Sequence, residues 1–411
     1  MIKNMIVIIS AILCIASSSY IPIDGYIKIQ EPDVLWVHGK AKHKVKAGVL
    51  LKIIGTTTCR RGTGICWKVR NVKSGEVGFV NALGIAARHD VLTAEGEKVE
   101  LLNKLLLSIP ALNSKSYTFN LKTSLAERVQ PTPVFLLNYL MKIDKRKDYT
   151  SYLPSKEEYG LINDYILKLP TLNRRILKER LIGIYFVNNL IGSGWIHYVL
   201  SDNDDMYAII IINPRTLNNS LSTWLTYREN TCFINRSSEI RVEVDCGKEF
   251  SGLMFVLLHE TTHIVDFILH YTPYVSPEMP KLNGFKVKYS GFVQGIWEGY
   301  RKPLKKYEFA NRENLTFYGL NDGPKIDVTD AVMLYRQLAN TPFVSLYGSQ
   351  SWAEDFAELI TFYHLTERLH QPFTINYYEN GEKTFDYSPM KSAKIQNRIN
   401  KIISIYTENR Q

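Results

Sequence analysis

Beyond its first twenty residues the sequence has no apolar stretch that is both long and charge-free enough to span a membrane, which takes roughly 20 residues, so no integral membrane segment is expected. It also lacks internal repeats, low-complexity tracts, and helix-turn-helix, zinc-finger or ribonucleoprotein signatures, and nucleic acid is therefore not an expected partner. Cysteine and histidine are sparse, with five and nine residues in 411. What remains is ordinary globular composition, 45% hydrophobic and 22% charged, in a chain long enough for two or three domains. The net charge of +10 suggests attraction to cell wall polymers, lipid headgroups or acidic substrates, although the basic residues are scattered.

The first residues, "MIKNMIVIISAILCIASSSY", combine a basic start at Lys3, a short apolar stretch and small residues from Ala16 to Ser19. Residues 1–19 read as an export signal, giving a periplasmic, envelope or secreted protein. Leu13 stands before Cys14 where lipid attachment calls for a small residue, which disfavours a lipoprotein. The other four cysteines fall into two local pairs, Cys59 with Cys66 and Cys232 with Cys246, and both are expected as disulfides in an oxidising compartment, although four cysteines allow three pairings.

Residues 24–88 read as short strands punctuated by glycine, expected to form a small all-β barrel. Their "GVLL", "WKV" and "GFV" strands resemble a bacterial Src-homology-3-like domain, which implies a possible wall contact and no chemistry of its own. Residues 90–178 show helical periodicity, and 179–411 mix strands ("LIGIYFV", "WIHYVL", "MYAIIIIN", "EIRVEV") with helices. The expected class is α+β, with a loop-rich segment near 271–327.

In "FVLLHETTHIVDF", His259 and His263 are four apart, one turn along the same face of a helix, so two imidazoles can grip one ion. Glu260 follows the first histidine, where a general base would stand. The neighbours are apolar nearly all round, so this helix belongs inside a domain, and its buried His, Glu, His and Asp266 need partners. A zinc ion is one such partner. Open catalytic zinc sites take three protein ligands, and "LYGSQSWAEDFAELITFYH" offers Glu354 and Glu358 on one face of a second apolar helix.

The H-E-x-x-H string with a glutamate-bearing helix downstream resembles the gluzincin class of zinc peptidases. Tyr347, Gly348, Ala353, Glu354, Phe356, Ala357 and Glu358 resemble the pattern of the anthrax lethal factor catalytic domain family. That resemblance implies a zincin-like fold, zinc as cofactor and peptide or protein as substrate. It implies His259, His263 and Glu354 as ligands, Glu358 and Asp266 as outer acids, and Tyr347 as an oxyanion donor. His197 and His364 are further candidates for that last role. The interval from His263 to Glu354, 354 − 263 = 91 residues, is longer than the family usually has, pointing to an insertion around 271–327 that reshapes the cleft. Two alternatives stay open: a wall-binding or interaction protein with a structural or degenerate zinc site, and a zinc amidase acting on cell wall.

Overall fold

The computed structural model describes residues 24–30, 33–37, 41–58, 65–97, 106–203, 205–275 and 291–402. The expected export signal with Cys14, the cysteine at 59, and the stretch 276–290 of the expected insertion lie outside them. The class is α+β, as expected.

The N-terminal strands are β1 (Tyr26–Lys28), β2 (Asp33–Val37), β3 (Ala41–Val45), β4 (Leu50–Thr58), β5 (Ile65–Asn71), β6 (Val77–Asn81) and, after helix α1 (Ala82–Arg88), β7 (Asp90–Leu92). They form one antiparallel sheet in the order β3-β2-β6-β5-β4-β1-β7; the expected closed barrel is, among the described residues, an open sheet. Three helices follow where periodicity places them: α2 (Val134–Asp144), α3 (Lys156–Lys168) and α4 (Thr171–Arg180). Helix α3 begins with a reciprocal capping box between Ser155 and Glu158.

Strands β8 (Thr150–Tyr152), β9 (Leu181–Asn188), β10 (Gly194–Leu200) and β11 (Met206–Ile212) build the central sheet in the order β10-β11-β9-β8. Strands β9 and β11 are parallel and almost wholly buried, as their continuous apolar runs require. Strand β10 is an edge, antiparallel to β11. Side chains alternate between the two faces. Ile184, Phe186, Ile210 and Ile212 join the core shared with the long helix described below, while Ile182, Tyr185, Ile209 and Ile211 join a second core.

That second core runs without interruption from Ile27, Trp67 and Val69 of the N-terminal sheet through Leu136 and Tyr139 to the central sheet. A chain starting at Asp90 is therefore expected to expose part of a shared core and lose several kcal/mol of stability, on the usual value of about 25 cal/mol per Å² of apolar surface. Thermal unfolding of the two proteins side by side checks this; equal melting temperatures would show that residues 90–411 fold independently.

Helix α5 (Leu221–Asn230) and strand β12 (Ile240–Asp245) lead to α6 (Gly252–Leu269), the helix of the histidine pair. Among the described residues α6 alone is long and apolar enough to cross a membrane, and its burial within the protein makes it a core helix. Gly252 lets it start against α5, because a Cβ there would stand 2.6 Å from the Trp224 ring. It ends at His270 in the left-handed region, φ 56°. Beyond it come α7 (Ala331–Leu338), α8 (Trp352–Tyr363), a hairpin of β13 (Thr374–Glu379) and β14 (Glu382–Tyr387), and α9 (Ala393–Ile402). The hairpin, not expected from the sequence, turns at Asn380 and Gly381, both with positive φ, and β13 pairs with β12.

The expected bridge between Cys232 and Cys246 is absent: both are free and fully buried. Their segments do not form a two-stranded hairpin. Strand β12 instead runs back along α5, with Cys246 N donating to Ser222 Oγ at 2.8 Å and Asn230 Nδ2 donating to Val242 O at 2.7 Å. The ten residues from 222 to 232 place the cysteines near opposite ends of the helix, about 15 Å apart at 1.5 Å per residue, beyond the reach of a disulfide. They pack as small apolar side chains, and burial pushes both thiols up.

Candidate metal centre

Helices α6 and α8 pack together and bring the three expected ligands to one point. His259 Nε2 and His263 Nε2 are 3.2 Å apart. Glu354 Oε2 lies 3.2 Å from the first and 3.4 Å from the second, which makes the triangle nearly equilateral. Ser351 caps α8 by accepting from Glu354 N, which fixes the start of that helix. Glu354 Oε2 is buried and makes no hydrogen bond, despite two nitrogens nearby. An unsatisfied buried carboxylate oxygen is costly. Ligand atoms on a tetrahedral zinc, with bonds of about 2.0–2.2 Å, stand about 3.3–3.6 Å apart. The donor set and its spacing thus fit one small ion, with three protein donors among the described residues.

The charges agree. Burial alone would push the His259 imidazole down, but the Glu354 and Glu358 carboxylates outweigh it and raise it to about 10. Burial also opposes ionisation of both acids, yet the two histidines hold Glu354 well below the carboxylate range, and Arg228 and His259 bring Glu358 down to about 2. The cluster demands positive charge, from a proton or from a cation.

Behind His259 stands a buried network. Its Nδ1 faces Glu358 Oε1 at 3.1 Å. Arg228, from α5, donates through both terminal nitrogens to Glu358 at 2.9 and 3.2 Å, and Ser345 Oγ donates to the same carboxylate at 2.6 Å. Glu358 thus stands behind His259 at ion-pair distance, although Nδ1 makes no hydrogen bond to it. Arg228 and Ser345 were not expected from the sequence; the signal available was an arginine on a helix that also carries Trp224 and Leu225. Helix α8 is fixed from its other side by Arg398 of α9, which makes paired 2.7 Å bonds to Asp355 beside the ligand.

Glu260 is buried on α6, and burial raises its carboxyl although His259 and His263 oppose this. It stands against β10: a Cβ on Gly194 would lie 3.3 Å from Glu260 Cγ and 2.5 Å from Val256 Cγ1. Only glycine lets the edge strand pass so close. Tyr347 sets its ring edge-on to His259, centroids 5.8 Å apart, and Arg228 lies over it at 5.3 Å. Burial, then the nearby Glu354 carboxylate, keep its hydroxyl protonated and so a donor.

Asp266, His197 and His364 lie outside the triangle of ligand atoms. Asp266, expected as an outer acid, feels the charge of His263, and both its oxygens accept from Thr272, at 2.6 and 2.7 Å, where it ties down the chain leaving α6. His197 points to the opposite face of the central sheet, against Tyr139 of α2 and Trp195. Strand alternation explains this, since Gly194 and Ile196 share the face toward α6 and the odd positions do not. His364 lies past the end of α8, its Nε2 donating to Lys168 O at 2.9 Å.

Burial pushes His197 down to about 3 and His364 to about 4. Both are neutral in the folded protein and take up protons on unfolding. Their contribution is fully present above the unfolded value near 6.5 and declines as pH falls toward 4 and then 3. Replacing His197 with Phe, which suits its aromatic surroundings, is expected to flatten the acid limb of the stability curve by a few kcal/mol at pH 4. Urea unfolding at pH 7 and pH 4 measures it; an unchanged pH slope would contradict the assignment.

No protein-family model matches this chain, and no curated protein or solved structure matches it either.

Proposed function

We propose that this chain is an exported zinc-dependent peptidase of the gluzincin kind, with a zincin-like catalytic region behind a Src-homology-3-like N-terminal region. The observation that carries the reading is the triangle of His259 Nε2, His263 Nε2 and Glu354 Oε2, with sides of 3.2, 3.2 and 3.4 Å. A purely structural zinc site fills all four positions with protein groups, and among the described residues this cluster offers three.

Bound zinc would lower the pKa of water and polarise a carbonyl. The chain's own residues do the rest. Glu260 accepts the proton of the attacking water at its carboxylate and returns it to the leaving amine, a task suited to a carboxyl that burial has made more basic. Tyr347 donates its hydroxyl hydrogen to the oxygen that becomes negative. The substrate lies extended along the outer edge of β10, beside Glu260.

Zinc-loaded protein is expected to cleave peptide bonds in a complex protein mixture, and a chelator is expected to abolish that cleavage. Metal-loaded protein that cleaves nothing would overturn the reading. Tyr347→Phe is expected to leave zinc content and melting temperature unchanged and to lower kcat on the order of 100-fold. Equal rates in the two proteins would reduce Tyr347 to packing.

A further inference from the structure

The outer edge of β10 has two ends, and both are stopped. Asn213 N donates to Ser193 O at 3.0 Å, so 193 is a paired position. The antiparallel alternation then turns the backbone groups of Gly194, Ile196 and Tyr198 away from the sheet, toward a side where no strand pairs with them among the described residues. At the far end Leu200 is bridged by Asn113, which occupies the same edge. At the near end, beside Glu260, stands Tyr318.

Tyr318 comes from the segment between α6 and α8 that lengthens the interval between the ligands. Its hydroxyl is 2.6 Å from Ser193 Oγ, which also accepts from Trp224 Nε1 at 2.9 Å. Its ring lies against Gly192, where a Cβ would stand 3.7 Å from it. The preceding Phe317 packs on Tyr347 with centroids 5.0 Å apart. Tyr318 also has φ 59°, in the left-handed region that bulky side chains seldom adopt, and Thr231 Oγ1 accepts from its N–H at 2.9 Å. A tyrosine held in a conformation that favours glycine or asparagine is there for its side chain.

We propose that Tyr318 determines specificity by closing the Ser193 end of this edge, so that a peptide substrate is limited close to the reacting bond on that side and runs on the other side over the span from Gly194 to Tyr198, short of the Asn113 bridge at Leu200. The inference rests on the peptidase reading and names its substrate class: peptides read over the short span from Gly194 to Tyr198, with few residues beyond.

The test uses the full-length zinc-loaded protein and a library of defined synthetic peptides, with the best substrate then lengthened residue by residue at each end. Wild-type kcat/KM is expected to fall at least 10-fold on lengthening the end that meets Tyr318 and to change little over the first residues added at the other. Tyr318→Gly, which relieves the backbone at positive φ but gives up the ring and its bond to Ser193, is expected to remove that fall, with melting temperature and zinc content showing that the variant is folded; Tyr318→Asn serves as the second variant. Binding of the same peptides to the Glu260→Gln protein, followed by fluorescence anisotropy, should show the same one-sided limit. Equal tolerance at both ends in the wild type, or a length profile unchanged in Tyr318→Gly, would overturn the inference alone. No cleavage of any library peptide, together with no binding to the Glu260→Gln protein, would overturn the peptidase reading and this inference with it.

Discussion

Glu260→Gln is expected to retain zinc and the wild-type melting temperature and to lose hydrolysis by a factor of about 10²–10⁴, the usual contribution of a positioned general base. The amide has nearly the same shape, and Glu260 is not one of the three converging ligand atoms, so metal affinity has no reason to change. Only basicity is lost. Because Glu260 is buried and makes no ion pair among the described residues, neutralising it removes a desolvation cost, and stability is expected to hold or rise slightly. Metal content, melting temperature and turnover measured on one preparation decide the matter. Activity near wild type would remove Glu260 from the reaction.

Arg228→Met is expected to be the most damaging single change to the fold of the site. The arginine is fully buried, and its two bonds to Glu358 at 2.9 and 3.2 Å are what let that carboxylate stay ionised inside the protein. Removing one partner of a buried pair leaves an uncompensated charge and costs about 3–5 kcal/mol. Glu358 is then expected to take up a proton or turn away, releasing His259 Nδ1 from its 3.1 Å partner. Loss of such outer support lowers metal affinity by about 10- to 100-fold. A chelator competition for zinc and a denaturant melt measure the two effects separately. Arg228→Lys, which keeps the charge without the fork, should recover part of the stability but less of the affinity. Wild-type affinity in Arg228→Met would contradict the account of the network.

Local spacing made much of the site legible. His259, Glu260 and His263 declare themselves within five residues because a helix brings i and i+4 to one face. Glu354 and Glu358 do the same on the second helix, and the buried strands β9 and β11 show as unbroken apolar runs. The rest depends on contacts that spacing does not encode. Arg228 meets Glu358 across 130 residues and Tyr318 meets Ser193 across 125, and neither pair has a local signature. Asp266 sits one turn beyond His263, as a supporting acid would, and its bonds to a threonine six residues later have no signature in the spacing. His197, only a further candidate, falls on the other face of the sheet by a single step of strand alternation. The cysteine pair misled for a related reason: fourteen residues suit a hairpin, but here they carry a strand that folds back onto a helix. The hairpin of β13 and β14 had its signal in plain view, an Asn-Gly pair between alternating residues.

The central claim is that His259, His263 and Glu354 together hold one zinc ion. Zinc analysis of the purified full-length protein after exposure to zinc and removal of excess, made in parallel on the wild type, Glu260→Gln, His259→Ala and Glu354→Ala, tests it most directly. The account predicts about one zinc per chain in the first two and almost none in the last two, because a three-ligand site lacking one ligand binds far more weakly. A wild type without zinc, or a Glu354→Ala protein that retains it fully, would contradict the account.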